Sequence, residues 1–234
     1  DLPQPWPVVR DLEGRVYIKE DAGKLVLGGF EPDAKLFDVT GSNGNVPFLE
    51  LPEDWEQFES FMLAGLNRVP ALNDSGIQHF MNGPESFTPD TKQVMGEAPE
   101  VANYFVAAGF NSIGIISSAG AGRVRAGWVA DGHSPMDVSD LEIARFEPDM
   151  SASSFLNERV QEAVVGQFEI HWPYKRMKTG RGLRHLPCHD IWKASGAVFA
   201  SPSGWERPMW FAPGNQDQTS VYSYGDQAWW PHSE

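Results

Sequence analysis

The sequence predicts a mixed fold of helices and strands, and three stretches carry that expectation. Val16-Tyr17-Ile18-Lys19 alternates, Asp21-Ala22-Gly23 turns, and Leu25-Val26-Leu27 returns, as in a β-hairpin. Trp55, Phe58, Met62, Leu66 and Val69 recur at helical spacing. Between Asn82 and Gly122, a polar loop containing proline leads into an apolar strand, a glycine turn and a helix of small residues.

Taken in order, the hairpin spans residues 8 to 31, with Val16 and Ile18 on one face and Tyr17 and Lys19 on the other. Gly28-Gly29 allows close backbone approach or a bulge. Residues 38 to 47 have no periodicity and read as a surface loop. A core-facing helix is expected from Pro52 to Val69, with Glu53 and Asp54 in its first turn, Arg68 near its end and Pro70 as its stop. The strand Tyr104 to Ala108 and its glycine turn lead to a helix from Ser117 to Asp131, capped by Gly132. Residues 137 to 146 cross the surface. A second amphipathic helix runs from Ser154 to Val165, closed by Gly166, and Phe168 to Trp172 is a strand. Residues 173 to 234, rich in Trp, Pro and Gly, form a small β-rich or irregular module with short strands such as Gly196 to Phe199.

The totals exclude more than they select. Eighteen basic residues against 32 acidic ones leave a net charge of −14, which argues against nucleic acid or an anionic membrane as the main partner. No apolar run reaches the roughly 20 residues that span a bilayer. The single cysteine, Cys188, excludes an intrachain disulfide framework and fits a reducing compartment. The start, DLPQPWPVVRD, carries no leader pattern and reads as a strand already under way, so the chain is expected to be cut from something larger.

Two motifs fail on their own chemistry. Gly120-Ala121-Gly122-Arg123-Val124-Arg125 imitates a dinucleotide fingerprint, with Asp140 and Glu142 about 20 residues on. Its sixth position is Arg125, however, and helical residues rather than a strand precede it; close helix packing is the better account. His185, Cys188 and His189 have a ligand-like spacing, but the intervening Pro187 and the lack of a further cysteine point to a loop, and no metal is expected. No nucleophile elbow occurs. The earlier turn, Gly109-Phe110-Asn111-Ser112-Ile113-Gly114, does follow a strand and open a helix. Its backbone N–H groups can face an anion or an electron-rich ring together.

The strings in combination are more specific. Val8-Val9-Arg10-Asp11, Gly14-Arg15-Val16-Tyr17 and Gly28-Gly29-Phe30-Glu31 are followed by Asn82 to Asp90 and Ala108 to Ile115. His171-Trp172-Pro173, Gly180 to Arg184 and Gly204-Trp205-Glu206-Arg207-Pro208 come later. This series resembles the dimethylglycine dehydrogenase and sarcosine dehydrogenase family, FAD-dependent oxidoreductases of the D-amino-acid-oxidase type, over nearly the whole chain.

The resemblance implies an α+β fold: an antiparallel substrate-domain sheet, a returning FAD-domain strand and helix, and a small central module. Residues 1–147 would be the C-terminal half of the FAD-dependent oxidoreductase domain. Residues 148–234 would be its central domain, with Tyr222 to Trp230 approaching a folate-binding, aminomethyltransferase-like domain outside this chain. The implied cofactor is FAD, with tetrahydrofolate in the full-length protein. Gly109, Phe110, Asn111, Ser112, Ile113, Gly114 and Ile115 would lie against the flavin ring, and Tyr17 would face the substrate. The implied substrate is an N-methylated glycine, oxidised by hydride transfer, with electron-transfer flavoprotein or oxygen as acceptor. The implied compartment is the bacterial cytoplasm or the mitochondrial matrix. The alternative is a non-catalytic relative of the pyruvate dehydrogenase phosphatase regulatory subunit type, acting as a binding partner.

Overall fold

The computed structural model describes residues 6–37, 48–169 and 176–212. The loop expected at 38–47, most of the strand expected at Phe168–Trp172, the His171-Trp172-Pro173 string and the Tyr222–Trp230 stretch lie outside the described residues. The fold is α+β, with antiparallel pairing dominant, and the chain divides into two compact units. One is Asp1–Glu85 with Val164–Ile170; the other is Ser86–Ala163 with His171–Glu234.

In the first unit the expected hairpin is a three-stranded antiparallel sheet: β1 (Val9–Asp11), β2 (Val16–Asp21) and β3 (Lys24–Gly29), in that order. Ala22 and Gly23 close the β2–β3 loop with φ of 50° and 79°, the left-handed pair that matches strand twist. The Glu20 carboxylate accepts the Gly23 N–H at 2.7 Å and holds that turn. Period two does the rest: Val16 and Ile18 are 2% and 1% exposed, while Tyr17 and Lys19 take the opposite face. Each such buried side chain contributes about 1.5–3 kcal/mol.

Helix α1 (Trp55–Arg68) packs on β2 and β3. It begins later than the Pro52 start expected, because Asp54 is its cap: the carboxylate accepts the Gln57 N–H at 3.0 Å. The buried line is also rotated from the expected stripe. Phe61 and Gly65 are buried, Phe58, Met62, Leu66 and Val69 are half-buried, and Trp55 is exposed. Two glycines set this rotation. A Cβ on Gly65 would stand 2.6 Å from Leu27, and one on Gly29 would stand 2.5 Å from the Phe61 ring. The close approach expected at Gly28-Gly29 is therefore real, and small residues rather than large ones mark the contact line. Pro70 ends α1 as expected, into a 3₁₀ turn over Pro70–Asp74. The Arg68 guanidinium meets Asp11 at 2.7 Å, tying the end of α1 to β1.

In the second unit, β4 (Val94–Glu97) pairs antiparallel with β5 (Phe105–Ala108), and Glu142 adds a parallel bridge to Met95. Helix α2 (Gly114–Asp131) packs on both strands, with the Trp128 ring 2.9 Å from where a Gly96 Cβ would be. It starts at Gly114, earlier than the Ser117 expected, because the chain leaves a left-handed turn directly into helix. Its end is as expected, with Gly132 at φ 76° donating to the Trp128 carbonyl at 2.9 Å. The stretch 137–146 contains a 3₁₀ turn, Ile143–Arg145.

Helix α3 (Ser153–Gln167) runs past the expected Val165 end, and Gly166 lies within its last turn instead of closing it. A lone glycine weakens a helix by about 1 kcal/mol, which is too little to stop one. Phe168 and Glu169, expected to begin a strand, form a turn and a bend. The following module holds β6 (Arg184–His185), helix α4 (His189–Ala194), β7 (Ala197–Ala200) and β8 (Trp205–Phe211). Its sheet order is β6-β8-β7, with β6 parallel and β7 antiparallel to β8. The Gly196–Phe199 strand is thus present one residue later, and the sequence reading missed α4. Arg181 and Glu206 pin the module: Nε donates to Oε1 at 2.8 Å, Nη2 to Oε2, and the Gly182 N–H to Oε1 at 2.8 Å.

Candidate functional site

The candidate site is the turn between β5 and α2. Gly109, Asn111 and Ser112 have φ of 61°, 51° and 65°, so most of the reversal is made in left-handed backbone. Glycine adopts that region freely and Asn tolerates it. At Gly109 the space also forbids a side chain, since a Cβ would stand 2.6 Å from Thr88 Cγ2.

Asn111 is the anchor, 1% exposed. Its Oδ1 accepts the Thr88 N–H at 2.8 Å, and its Nδ2 donates to the Gly109 carbonyl at 2.6 Å. Thr88 is buried as well, and its hydroxyl has the Lys92 carbonyl at 2.9 Å as nearest acceptor. Behind Thr88, Asp90 receives the Arg145 guanidinium through two bonds of 2.7 and 3.0 Å. The turn is thus a rigid piece carried on a hydrogen-bonded loop.

That rigidity presents the start of α2 outward. Ile113 occupies the cap position, offers no capping side chain, and donates its own N–H to the Phe110 carbonyl at 3.0 Å. Apolar residues are the poorest N-caps. The N–H groups of Gly114, Ile115 and Ile116 have no acceptor among the described residues, and the Ile115 and Ile116 side chains are 97% and 84% exposed. An 18-residue helix adds a macrodipole worth roughly half a positive charge at this end. The donor set suits the electron-rich rim of a ring such as that of FAD, the cofactor implied by the resemblance.

Seven of the expected site residues therefore stand together: Gly109, Phe110, Asn111, Ser112, Ile113, Gly114 and Ile115 make one turn. Their roles differ. Gly109 and Asn111 shape the turn, whereas Gly114 and Ile115 offer free donors. Sequence reading missed Arg145, 55 residues from its partner Asp90, and the anchoring role of Asn111. An Asn between glycines in a turn was the available signal.

Tyr17 belongs to the first unit. It pairs across the sheet with Gly28 and lays its ring there, where a Cβ would meet Cζ at 2.3 Å. Phe30 lies 5.8 Å away, tilted, and the Tyr17 hydroxyl has no hydrogen bond among the described residues. Among the described residues, no three of His, Cys, Asp and Glu gather to hold a metal ion, and no helix is long and apolar enough to cross a membrane. The His185 and His189 rings stack at 3.8 Å, with Cys188 exposed between them in sequence.

Comparison with known proteins gives the turn a context. The family described as FAD dependent oxidoreductase matches residues 1–128, and the FAD dependent oxidoreductase central domain matches residues 131–185. The chain is 39% identical over 225 residues to 4-methylaminobutanoate oxidase (formaldehyde-forming) of Paenarthrobacter nicotinovorans, covering 95% of this chain and 27% of that protein. It is 38% identical to the mitochondrial pyruvate dehydrogenase phosphatase regulatory subunit of Mus musculus, over 92% of this chain and 25% of that one. Mitochondrial sarcosine dehydrogenase of Mus musculus is 34% identical, over 96% and 25%. The chain spans about a quarter of the length of these relatives.

Proposed function

The chain belongs to the FAD-dependent oxidoreductase family, and we propose that it forms part of an enzyme that oxidises an N-methylated amino acid, dimethylglycine or sarcosine, by hydride transfer to FAD. Residues 1–147 are then the C-terminal half of the FAD-dependent oxidoreductase domain and 148–234 its central domain. The observation that carries the reading is the uncapped start of α2, held outward by the buried Asn111.

Bound FAD supplies the two-electron acceptor. The chain's own residues set the electrostatics around it. The N–H groups of Gly114, Ile115 and Ile116, fixed before the reaction, favour the negative charge that develops at the ring edge on reduction. Gly109 and Asn111 hold that geometry. Tyr17, its hydroxyl free, donates to the carboxylate or amine of the substrate. In the full-length protein tetrahydrofolate, held outside this chain, would take the one-carbon unit, and electron-transfer flavoprotein or oxygen would be the electron acceptor. The compartment is the bacterial cytoplasm or the mitochondrial matrix.

The test is direct. The intact protein is purified, its visible flavin absorbance recorded, and sarcosine, dimethylglycine and 4-methylaminobutanoate added without oxygen. Bleaching by sarcosine or dimethylglycine supports the reading, whereas bleaching by 4-methylaminobutanoate alone keeps the oxidation of an N-methylated amine and replaces the named substrates. The likeness to the phosphatase regulatory subunit favours a second reading, a non-catalytic binding partner. Intact protein without flavin, or with flavin that no N-methylated amine bleaches, would end the first reading and favour the second.

A further inference from the structure

The five N–H donors of Arg145 meet five acceptors. Nε and Nη2 grip the Asp90 carboxylate at 2.7 and 3.0 Å, and Nη2 also reaches the Lys92 carbonyl at 2.8 Å. Nη1 takes the Leu141 and Glu142 carbonyls at 2.7 and 3.1 Å. The side chain is 6% exposed. Only the planar fork of arginine satisfies such a set; a lysine ammonium has three donors and no plane.

Asp90 hands this order on. Its Oδ1 also accepts the Lys92 N–H at 3.2 Å and lies 3.2 Å from the Thr88 hydroxyl. Those bonds shape the loop from which Thr88 presents its N–H to Asn111. Asn111 and Ser112 keep left-handed backbone, a conformation that persists only where the surroundings over-determine it. Named bonds therefore run unbroken from Arg145 to Asn111, and the covalent backbone from Asn111 to Gly114 carries that geometry to the first N–H groups of α2. It also crosses a family boundary, since Arg145 lies in the stretch matched by the central domain and the turn in the stretch matched by the oxidoreductase domain.

We infer that Arg145 and Asp90 are positioning residues for the flavin-facing turn, so that an arginine from the stretch matched by the central-domain family sets the alignment of donors in the stretch matched by the oxidoreductase family. This rests on the turn being the flavin-contacting element. Neither residue belongs to the turn; both act through Thr88 and Asn111.

The experiment uses the intact, flavin-loaded protein with R145M and R145K, and R181M as comparator. Arg181 also grips a buried carboxylate, Glu206, but shares no hydrogen bond with the turn. Loss of charge-assisted bonds at Arg145 is expected to raise the FAD dissociation constant about tenfold, shift the flavin absorbance, and quicken amide exchange about tenfold at Thr88 and Ile113, whose N–H groups are bonded to Asn111 Oδ1 and the Phe110 carbonyl. R145K should fail to rescue. R181M should lower Tm while leaving flavin binding, spectrum and those amides within about twofold of wild type. If R145M does not fold, D90N carries the same test in milder form, with the same amides and spectrum changing in the same direction. Arg145 and Asp90 variants that lower Tm but leave the spectrum and the amides as R181M leaves them would overturn the inference. If the wild-type protein holds no flavin, the reading of the turn fails by itself, and amide exchange at Thr88 and Ile113 still decides whether Arg145 positions the turn.

Discussion

Asn111 Oδ1 accepts the backbone N–H of Thr88 at 2.8 Å across 23 residues of sequence. The contact is buried on both sides, and the same side chain returns to its own turn through the Gly109 carbonyl at 2.6 Å. One amide therefore joins the Thr88-Pro89-Asp90 loop to the glycine turn and stabilises a backbone at φ 51° that most side chains avoid.

Replacing Asn111 separates these contributions. N111A leaves the buried Thr88 N–H unpaired and places alanine in left-handed backbone, for an expected loss of about 2–4 kcal/mol. N111G forfeits the same bonds but tolerates the backbone, so it should be about 1 kcal/mol more stable than N111A. Urea unfolding of the two variants measures the difference. Equal midpoints would mean that the backbone conformation costs nothing here.

Gly109 and Thr88 form a second testable pair. G109A meets Thr88 Cγ2 at 2.6 Å and also forces alanine to φ 61°. A loss of about 2–3 kcal/mol is expected, part steric and part conformational. T88S removes only the offending methyl and keeps the hydroxyl, so T88S/G109A should recover the steric part. A double-mutant cycle reads this as coupling of about 1 kcal/mol, and additive losses would place the clash elsewhere.

The parts of this fold that local pattern controls were legible in the sequence. The β2–β3 hairpin announced itself because alternation and a turn glycine are encoded within a few residues, and Gly132 capped α2 for the same reason. The contact line of α1 was not legible, because Gly29 and Gly65 create it by having no side chain, and a hydrophobic stripe cannot register that. At the candidate site, the order of strand, glycine turn and helix marked Gly109 to Gly114 as a turn, whereas Ile115 and the flavin contact came only from the resemblance. Arg145 stayed hidden because three of its five acceptors are backbone carbonyls, which no residue type advertises.

Acid sensitivity should centre on the paired carboxylates, Glu206 among them. Burial alone would raise its pKa, but the Arg181 fork and the Gly182 N–H outweigh that and hold it below the usual 4.5. A carboxyl lowered in the folded state contributes stability that is complete above its unfolded value and lost as pH falls through the folded one. Wild-type stability should therefore drop from about pH 4.5 downward. E206Q should be less stable at pH 7 by about 3 kcal/mol, having left Arg181 without its buried counter-charge. Its acid limb should be flatter, though not flat, because Glu162 and Asp11 are lowered too. Urea midpoints between pH 3 and 7 make the comparison. Parallel curves would show that Glu206 does not contribute to the acid response.

Tyr17 tests whether a strand residue serves the substrate or the sheet. Its ring covers Gly28, so Y17A should cost about 2–4 kcal/mol by uncovering the strand and losing the packing with Phe30. The hydroxyl has no partner among the described residues, so Y17F should alter stability by less than about 0.5 kcal/mol. If the hydroxyl binds the substrate, as proposed, Y17F should nonetheless lower kcat/KM about tenfold, the worth of one hydrogen bond made in the complex. The assay uses the intact enzyme with whichever N-methylated amine bleaches its flavin. An unchanged kcat/KM in a Y17F protein of wild-type stability would leave Tyr17 with only its place over Gly28.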